Sequence, residues 1–387
     1  MSFVSDTSFP MRALLAGARR KERSLLDLTR KLVQAESPSD SKSAVDACVA
    51  LAAEHLKQLG GRVKLHRLEH HGNALEARFG PRASSEAAQP ILLLGHLDTV
   101  WPLGTLQSMP CRVRSGRLSG PGTLDMKAGV AMACAALELL MEARLLHREI
   151  ILLLNGDEEI GSPASRPITE NLARTCSAVY VLEPAQGLAY KTARKGIGDW
   201  HIVVNGIAAH AGVDFEKGAN ALLELARVIE AVSGWTDLKR GLTVSVGVAA
   251  GGTKSNVVPA RAQADIDVRI PRLTDGPRIA RKFAALRAAD PRCTLDVTGQ
   301  INRPPMERSR GTVRLFRKAH LLARELGFEL NEASTGGGSD GNFTAALGIP
   351  TLDGMGAVGE GAHASHESVF IEHLAPRTAL LAAMLIG

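Results

Sequence analysis

Histidine and acidic residues stand directly after three apolar runs of this sequence. The run "PILLLGHLD" ends at His96 and Asp98, "EIILLLNGDEE" ends at Glu158 and Glu159, and "AVYVLEP" ends at Glu183. Each run is continuously apolar rather than alternating, which is typical of strands covered on both faces of a mostly parallel sheet. Because ligands bind beyond the carboxyl ends of such strands, these side chains predict a site at one edge of the sheet.

Two further residues extend this set to a candidate metal centre. Asp125 lies in "GPGTLDMKAG", and His363 lies in "GEGAHASHES", where His366 is the competing histidine. Two imidazoles and three carboxylates suit zinc, cobalt or manganese, and five ligands exceed the need of one tetrahedral zinc. One bridging carboxylate would give two metal sites, which at about 3.5–4 Å apart can hold a hydroxide and polarise a carbonyl. The candidate ligands are His96, Asp125, Glu159, Glu183 and His363.

The two remaining acidic residues have separate predicted roles. Adjacent residues of an extended segment point in opposite directions, so Glu158 can face the substrate if Glu159 binds metal. Glu158 would then take a proton from water and pass it to the leaving nitrogen. Asp98, two residues after His96, would accept the other imidazole N–H and fix the tautomer of the ring.

The order of apolar segments predicts two kinds of domain. Helical stretches alternate with the apolar runs in the first part of the chain, which is an α/β pattern. From about Lys195 the order becomes β-α-β-β-α-β, the split unit of a ferredoxin-like domain. The prediction is a mostly parallel-sheet α/β catalytic domain over residues 1–193 and 307–387, with an inserted ferredoxin-like α+β dimerisation (lid) domain over residues 194–306. The outer strand of the insert would pair with a second copy, so we expect a homodimer.

Charge and composition exclude some partners. The formal net charge is +6, but the basic residues are dispersed and not interleaved with aromatic residues, so no nucleic acid is expected to bind. No window approaches the roughly 18 apolar residues of a membrane span, so no membrane is expected either. The five cysteines are far apart and lack a CxxC pair, which suits a reducing compartment. With no signal-peptide pattern, these features predict a cytoplasmic protein. The low-complexity segment "PRASSEAAQP" is predicted to be a surface loop.

Short motifs along nearly the whole chain carry a resemblance to a known family. The sequence resembles the cocatalytic zinc exopeptidases, which include bacterial glutamate carboxypeptidase, acetylornithine deacetylase, succinyl-diaminopimelate desuccinylase and aminoacylase. Two segments, "DTVWPLGT" and "RKGIGDWHIVVNG", look nearest to the glutamate carboxypeptidase branch. The other matching segments are "GPGTLDMKAG", "NGDEEIGS", "LEP", "GIAAHAG", "GGTKSNVVP", "DVR", "GGGSDGNF" and "GAHASHE".

This resemblance implies how the ligands divide between two metal ions. Asp125 would bridge both ions, and Glu158 would be the general base and acid. His363 is preferred to His366 because Glu367, four residues further on, matches the family spacing. His96 and Glu183 would hold one metal ion, and Glu159 and His363 would hold the other.

The resemblance also implies roles for residues of the inserted domain and of a glycine-rich loop. His210 in "AAHAG" matches a histidine that completes the active site of the neighbouring subunit. Trp101 stands where the family often has phenylalanine, a change that is not expected to disturb the chemistry. The positions that match or resemble substrate-binding residues are Asn256, Arg269, Arg303, Gly337, Gly338 and Ser339.

The predicted function is hydrolysis of an amide bond next to a free carboxylate, with a metal-bridged hydroxide as nucleophile and Glu158 as base. The substrate would be a small molecule or short peptide with a free carboxylate. The alternative is an N-acyl-amino-acid deacylase such as acetylornithine deacetylase or succinyl-diaminopimelate desuccinylase. A remote alternative is a catalytically silent binding protein of the same fold. Its signature would be loss of Glu158 or of a ligand, and every one of these residues is present.

Overall fold

The computed structural model describes residues 11–82 and 89–386. The chain divides into two compact units, of which the first comprises Met1–Ala193, Arg308–Ser334 and Ser339–Gly387. The second comprises Arg194–Glu307 and Thr335–Gly338. Among the described residues, no helix is both long and apolar enough to cross a membrane. Most of the predicted low-complexity loop, "PRASSEAAQP", lies outside the described residues.

Helices and strands alternate along much of the described chain. The helices are α1 (Met11–Gln34), α2 (Lys42–Gln58), α3 (Ala128–Glu142), α4 (Arg166–Ala173), α5 (Ala221–Ser233), α6 (Asp275–Ala284), α7 (Arg310–Glu325), α8 (Gly341–Ala346) and α9 (Leu374–Leu385). The strands are β1 (Arg62–His66), β2 (Gly72–Phe79), β3 (Ile91–His96), β4 (Arg112–Arg114), β5 (Arg117–Ser119), β6 (Ile150–Gly156), β7 (Ala178–Val181), β8 (Tyr190–Arg194), β9 (Gly196–Asn205), β10 (Ala209–His210), β11 (Thr243–Gly251), β12 (Val257–Val258), β13 (Arg261–Ile270), β14 (Thr294–Arg303), β15 (Glu332–Thr335), β16 (Thr351–Leu352), β17 (Gly359–Glu360) and β18 (Ser368–Phe370).

The first unit is built around a mixed, mostly parallel sheet with strand order β1-β2-β6-β3-β7-β16. Strands β6, β3, β7 and β16 are parallel neighbours, whereas β2 is antiparallel to β6 and to β1. Along β3, Leu93 packs with residues of α1, α3 and α9, while Leu92 and Leu94 pack in a separate cluster with residues of α4. The strand is therefore covered on both faces, which explains why its sequence is continuously apolar.

The parallel register brings three strand ends to one edge of this sheet. His96 pairs with Asn155 of β6, and Leu94 of β3 pairs with both Leu153 and Val181. The polar residues that follow β3, β6 and β7 therefore emerge side by side, which confirms the α/β architecture predicted from the three apolar runs.

The second unit has the predicted order β9-α5-β11-β13-α6-β14 and an antiparallel sheet with strand order β11-β13-β9-β14. Its helices cover one face of the sheet, where Trp200 of β9 stacks on Phe283 of α6 with ring centroids 4.4 Å apart. Strands β11 and β14 form the edges of this sheet, and Val248 of β11 is 57% exposed. The fold of this unit confirms the ferredoxin-like expectation, and dimerisation through its edge remains a prediction.

Candidate metal centre

Five loops of the first unit bring the predicted ligands together. His96 ends β3, Glu159 lies in the turn after β6, and Glu183 follows β7 by two residues. Asp125 lies between β5 and α3, and His363 lies in the turn between β17 and β18. Residues that are far apart in the sequence thus form one cluster of two imidazoles and three carboxylates.

Asp125 lies between the two imidazoles of this cluster. Its Oδ1 atom is 3.3 Å from Nε2 of His96, and its Oδ2 atom is 3.2 Å from Nε2 of His363. Glu183 also lies beside His96, with Oε1 3.7 Å from Nε2. Glu159 approaches His363, with Oε2 3.4 Å from Nε2. Each imidazole therefore lies within 4 Å of Asp125 and of at least one further carboxylate.

The ligand atoms are also close enough to one another for metal binding. Donor atoms of His96, Asp125 and Glu159 all lie within 4.8 Å of one another. A second group, His96, Glu158 and Glu183, meets the same distance. Glu158 thus lies beside His96 and Glu183, within the same distance as the predicted ligands.

Contacts within the cluster shift the pKa values of its imidazoles upward and the pKa of Asp125 downward. Burial alone raises the pKa of Asp125, but hydrogen bonds with His363 and His96 outweigh it and keep that pKa well below its usual range. Burial alone lowers the pKa of His96, yet contacts with Asp125 and Asp98 raise it well above its ordinary value. Hydrogen bonds with Asp125 and Glu159 raise the pKa of His363 to about 10. Burial raises the pKa of Glu159.

The residues present fit a pair of divalent metal ions. Oε1 of Glu159 is buried and has no hydrogen-bond partner among the described residues, which is costly for a carboxylate unless a cation binds it. The donor set of imidazole nitrogens and carboxylate oxygens suits zinc, cobalt or manganese. A metal cation beside these carboxylates would also offset the repulsion between their negative charges.

The turn that carries Glu158 and Glu159 differs from the sequence-based expectation. The two residues begin a short 3₁₀ helix, Glu158–Ile160, rather than lying on an extended segment. Consecutive side chains of a 3₁₀ helix still project in different directions, because it has three residues per turn. The carboxylate of Asp98 holds this turn by accepting the N–H groups of Glu158 and Glu159 at 3.1 and 3.0 Å.

Asp98 contacts His96 mainly through its backbone. Nδ1 of His96 lies 3.0 Å from the carbonyl oxygen of Asp98 and 3.5 Å from its carboxylate. The hydroxyl of Ser39 donates to the same carboxylate at 2.7 Å, a contact that the sequence analysis missed. Asp98 therefore contacts the imidazole with its carbonyl and organises the Glu158–Glu159 turn with its side chain.

His363 occupies an unusual backbone conformation. Its φ angle is +61°, in the left-handed backbone region that residues other than glycine rarely adopt. Such conformations cluster at functional sites, where the surrounding structure holds them. His366, the competing histidine, is exposed, and no ion pair of the described residues joins it to the cluster.

A buried polar network beneath the cluster was also missed. Asn155, the residue of β6 paired with His96, donates through Nδ2 to Asp340 at 2.6 Å and to Thr169 at 2.9 Å. The hydroxyl of Ser162 donates to the other oxygen of Asp340. In the sequence, Asp340 directly follows the glycine-rich residues that the resemblance assigns to substrate binding.

Comparison with known proteins identifies the family. Residues 92–386 match the model of peptidase family M20/M25/M40. The chain belongs to this family. It is 29% identical to carboxypeptidase G2 of Pseudomonas sp. (strain RS-16), with 100% of this chain and 94% of the relative aligned. It is 28% identical to succinyl-diaminopimelate desuccinylase of Stenotrophomonas maltophilia (strain R551-3), with 90% and 95% of the two chains aligned.

The fold agrees with the M20 assignment. The crystal structure of aminopeptidase PepT from Bacillus cereus ATCC 10987 superposes with a TM-score of 0.79 at 24% identity, covering 94% of this chain and 98% of the other. The resemblance stated from the motifs is therefore confirmed. The protein is an enzyme of the M20 metallopeptidase and amidohydrolase family, in which the substrates are peptides or amino-acid derivatives.

The second unit of this M20 protein carries His210 on its surface. His210 ends the short strand β10, which pairs with β12, and the N–H of Ala211 donates to the carbonyl of Asn256 at 3.0 Å. Nδ1 of His210 accepts the backbone N–H of Gly212 at 3.1 Å. When the ring of His210 is neutral, its proton is therefore on Nε2. Asn256 lies in the neighbouring segment, opposite Ala211.

The other predicted substrate residues are distributed between the two units. Arg269 and Arg303 belong to the second unit. Arg269 donates two hydrogen bonds to the carboxylate of Asp267, at 2.9 and 2.7 Å, and Arg303 is buried. The carbonyls of Gly337 and Gly338 accept from Arg194 at 3.2 and 2.9 Å, also in the second unit. Ser339, in the first unit, is buried and donates its hydroxyl to Asp353 at 2.6 Å.

Proposed function

We propose that this protein is a two-metal hydrolase that cleaves an amide bond next to a free carboxylate, as a glutamate carboxypeptidase does. The observation that carries the proposal is the pair of imidazoles on opposite oxygens of Asp125. A carboxylate with a nitrogen ligand beside each oxygen suits two neighbouring metal ions. Similarity to carboxypeptidase G2 over the full chain supports the substrate class.

Zinc fits this ligand set best, and cobalt or manganese are the alternatives. Asp125 would bind both ions, His96 and Glu183 would complete one site, and Glu159 and His363 would complete the other. Metal ions bound in this way polarise a carbonyl group and lower the pKa of a water molecule.

Glu158 is the residue that moves protons. It lies beside His96 and Glu183, and it is the one acidic residue of that group that the proposed division of ligands leaves for proton transfer. Glu158 takes a proton from the water as the oxygen bonds to the carbonyl carbon. The same proton then passes to the amide nitrogen as the carbon–nitrogen bond breaks, which yields a carboxylate and an amine.

His210 is proposed to stabilise the negative charge that develops on the carbonyl oxygen. Because Nδ1 accepts from Gly212, the Nε2–H is available to donate to that oxygen. In a cytoplasmic homodimer paired through the second unit, His210 would serve the site of the partner subunit. Asn256, which directly precedes β12 and whose carbonyl accepts the N–H of Ala211, would contact the same substrate.

The free carboxylate of the substrate is proposed to bind cationic and backbone groups. Arg269 is the main candidate, because Asp267 fixes the plane of its guanidinium. Arg303 is the second cationic candidate. The loop residues Gly337, Gly338 and Ser339 would approach the carboxylate through their backbone, since the Ser339 hydroxyl already donates to Asp353.

One other function has support from a specific observation. The similarity to succinyl-diaminopimelate desuccinylase also suits an N-acyl-amino-acid deacylase, in which the same residues cleave a different amide. A silent binding protein is disfavoured, because Glu158 and all five ligands are present.

A substrate panel tests the proposal. The metal-loaded protein would be assayed with peptides and N-acyl compounds that end in glutamate, with the same compounds capped as C-terminal amides, and with N-succinyl-diaminopimelate. Cleavage of the free glutamate compounds but not of the capped ones is the expected result. Cleavage of N-succinyl-diaminopimelate alone would favour the deacylase, and cleavage of none would contradict both.

A further inference from the structure

Glu367 makes an unusual set of contacts for a residue that is neither a ligand nor the base. Its side chain is completely buried between the metal-ligand loops. Oε1 accepts the backbone N–H groups of Leu124 and Asp125 at 2.8 and 3.1 Å. Oε2 accepts the backbone N–H of Gly122 at 3.0 Å and the indole N–H of Trp101 at 2.8 Å.

These contacts reach three of the loops that carry ligands. Trp101 follows His96 in the loop after β3, and the three backbone donors belong to the loop that presents Asp125. Glu367 itself ends the turn that begins at His363, where its N–H donates to the carbonyl of Ala364 at 2.9 Å. One carboxylate therefore joins the loops of His96, Asp125 and His363.

The contacts require both oxygens of a carboxylate. A carboxylate accepts at two oxygens, whereas a carboxamide has a single acceptor oxygen and an NH₂ group that donates. In Glu367→Gln, two of the four N–H donors would face another donor although the side chain keeps its shape. The backbone of the Asp125 loop has little freedom to shift and find other acceptors for these N–H groups. Gly122 has φ +70°, and it is packed so closely that an added Cβ would lie 2.6 Å from Cγ2 of Thr99.

We infer that Glu367 is a positioning residue of the metal centre and that Trp101 is the donor through which it fixes the loop after His96. This inference rests on the proposed function only in taking His96, Asp125 and His363 as the metal ligands. It assigns a purpose to tryptophan at position 101, because phenylalanine there would have no N–H to donate.

Zinc affinity, measured by competition with a chromophoric chelator, tests the inference in the full-length protein. Loss of a group that orients metal ligands typically weakens metal binding by about 10- to 100-fold, and we expect that loss in Glu367→Gln. Trp101→Phe removes one donor of four, so we expect a smaller loss, within about 10-fold. In the double variant, Trp101→Phe should add little to the loss caused by Glu367→Gln, because the two residues act through one contact.

Two controls separate positioning from general effects. Glu372→Gln changes a carboxylate on the same C-terminal segment whose side chain is 81% exposed, and it should leave zinc affinity unchanged. Leu381→Ala opens a cavity at a fully buried position of α9, so it should lower thermal stability while leaving zinc affinity unchanged. The visible absorption of the cobalt-loaded protein should change in Glu367→Gln and not in either control.

Wild-type zinc affinity in Glu367→Gln would overturn the inference, and so would equal losses in Glu367→Gln and Leu381→Ala. If Glu367→Gln does not fold, Trp101→Phe decides, and wild-type zinc affinity there overturns the inference. Peptide hydrolysis by the wild-type protein is measured in parallel. Zinc binding without hydrolysis would defeat the proposed function alone, whereas hydrolysis with unchanged zinc affinity in the variants would defeat only the role of Glu367 and Trp101.

Discussion

Nε2 of His363 lies 3.2 Å from Oδ2 of Asp125. The opposite oxygen of the same carboxylate lies 3.3 Å from His96, so Asp125 is shared between two imidazoles. Glu183 lies 3.7 Å from His96, and Glu159 lies 3.4 Å from His363. The cluster thus consists of two halves joined by one carboxylate.

This division predicts different metal losses for two substitutions. Asp125→Ala should lose both metal ions, because each half depends on that carboxylate. Glu183→Ala should lose only the ion held with His96 and keep about one equivalent. Elemental analysis after dialysis against a weak chelator distinguishes the two, and equal metal contents in both variants would contradict a shared Asp125.

Glu158→Gln should keep both metal ions and lose most activity. The amide has nearly the same shape as the carboxylate but cannot accept the water proton. Removal of a general base typically costs about 10²- to 10⁴-fold in turnover. Metal content and turnover are measured on the same preparation, and near-normal turnover with full metal content would exclude Glu158 as the base.

His210 should act across a dimer. His210→Ala is expected to lose roughly 10²- to 10³-fold in turnover, the usual cost of removing one donor to a developing oxyanion. If the donor comes from the partner subunit, mixing His210→Ala with Glu158→Gln subunits creates one site in which both groups are intact. Activity should then recover in part. Verified heterodimers without recovered activity would limit His210 to its own chain or to a structural role.

Metal affinity should rise with pH. Contacts with Asp125 and Glu159 raise the pKa of His363 to about 10 in the metal-free protein, so its ring is protonated at neutral pH. A metal ligand must be neutral imidazole, and binding therefore releases this proton. Between about pH 7 and about pH 8.5, affinity should increase by up to about tenfold per pH unit for each proton displaced.

The control for this prediction is His366→Ala, which should show the same pH dependence because His366 is exposed and lies outside the cluster. Competition with a chelator of known protonation measures the affinity. An affinity that is independent of pH after correction for the chelator would contradict the proton displacement.

The parts of the fold that follow from local patterns could be predicted from the sequence. The run before His96 is apolar at every position because both faces of β3 are covered, and parallel pairing then brings its end beside the ends of β6 and β7. The alternating pattern of β13 likewise matches a sheet with helices on one face only.

Contacts that depend on long-range packing could not be predicted. Nothing near Glu367 in the sequence indicates that its carboxylate meets the loop of Asp125, because the contacts join residues about 240 positions apart. The 3₁₀ turn at Glu158 depends on N–H contacts with Asp98, and the cis peptide bond between Asp125 and Met126 had no signal in the sequence. Such features arise only when separate loops are folded against one another.

Zinc titration of the metal-free protein tests the two-metal hydrolase most directly. Bound zinc and hydrolysis of a C-terminal-glutamate substrate are followed together as zinc is added. Because Asp125 joins two halves, we expect activity to reach its maximum as the protein approaches two equivalents of bound zinc. A fully active protein that holds one stable equivalent, or a protein that binds two equivalents and does not hydrolyse the substrate, would contradict the proposed function.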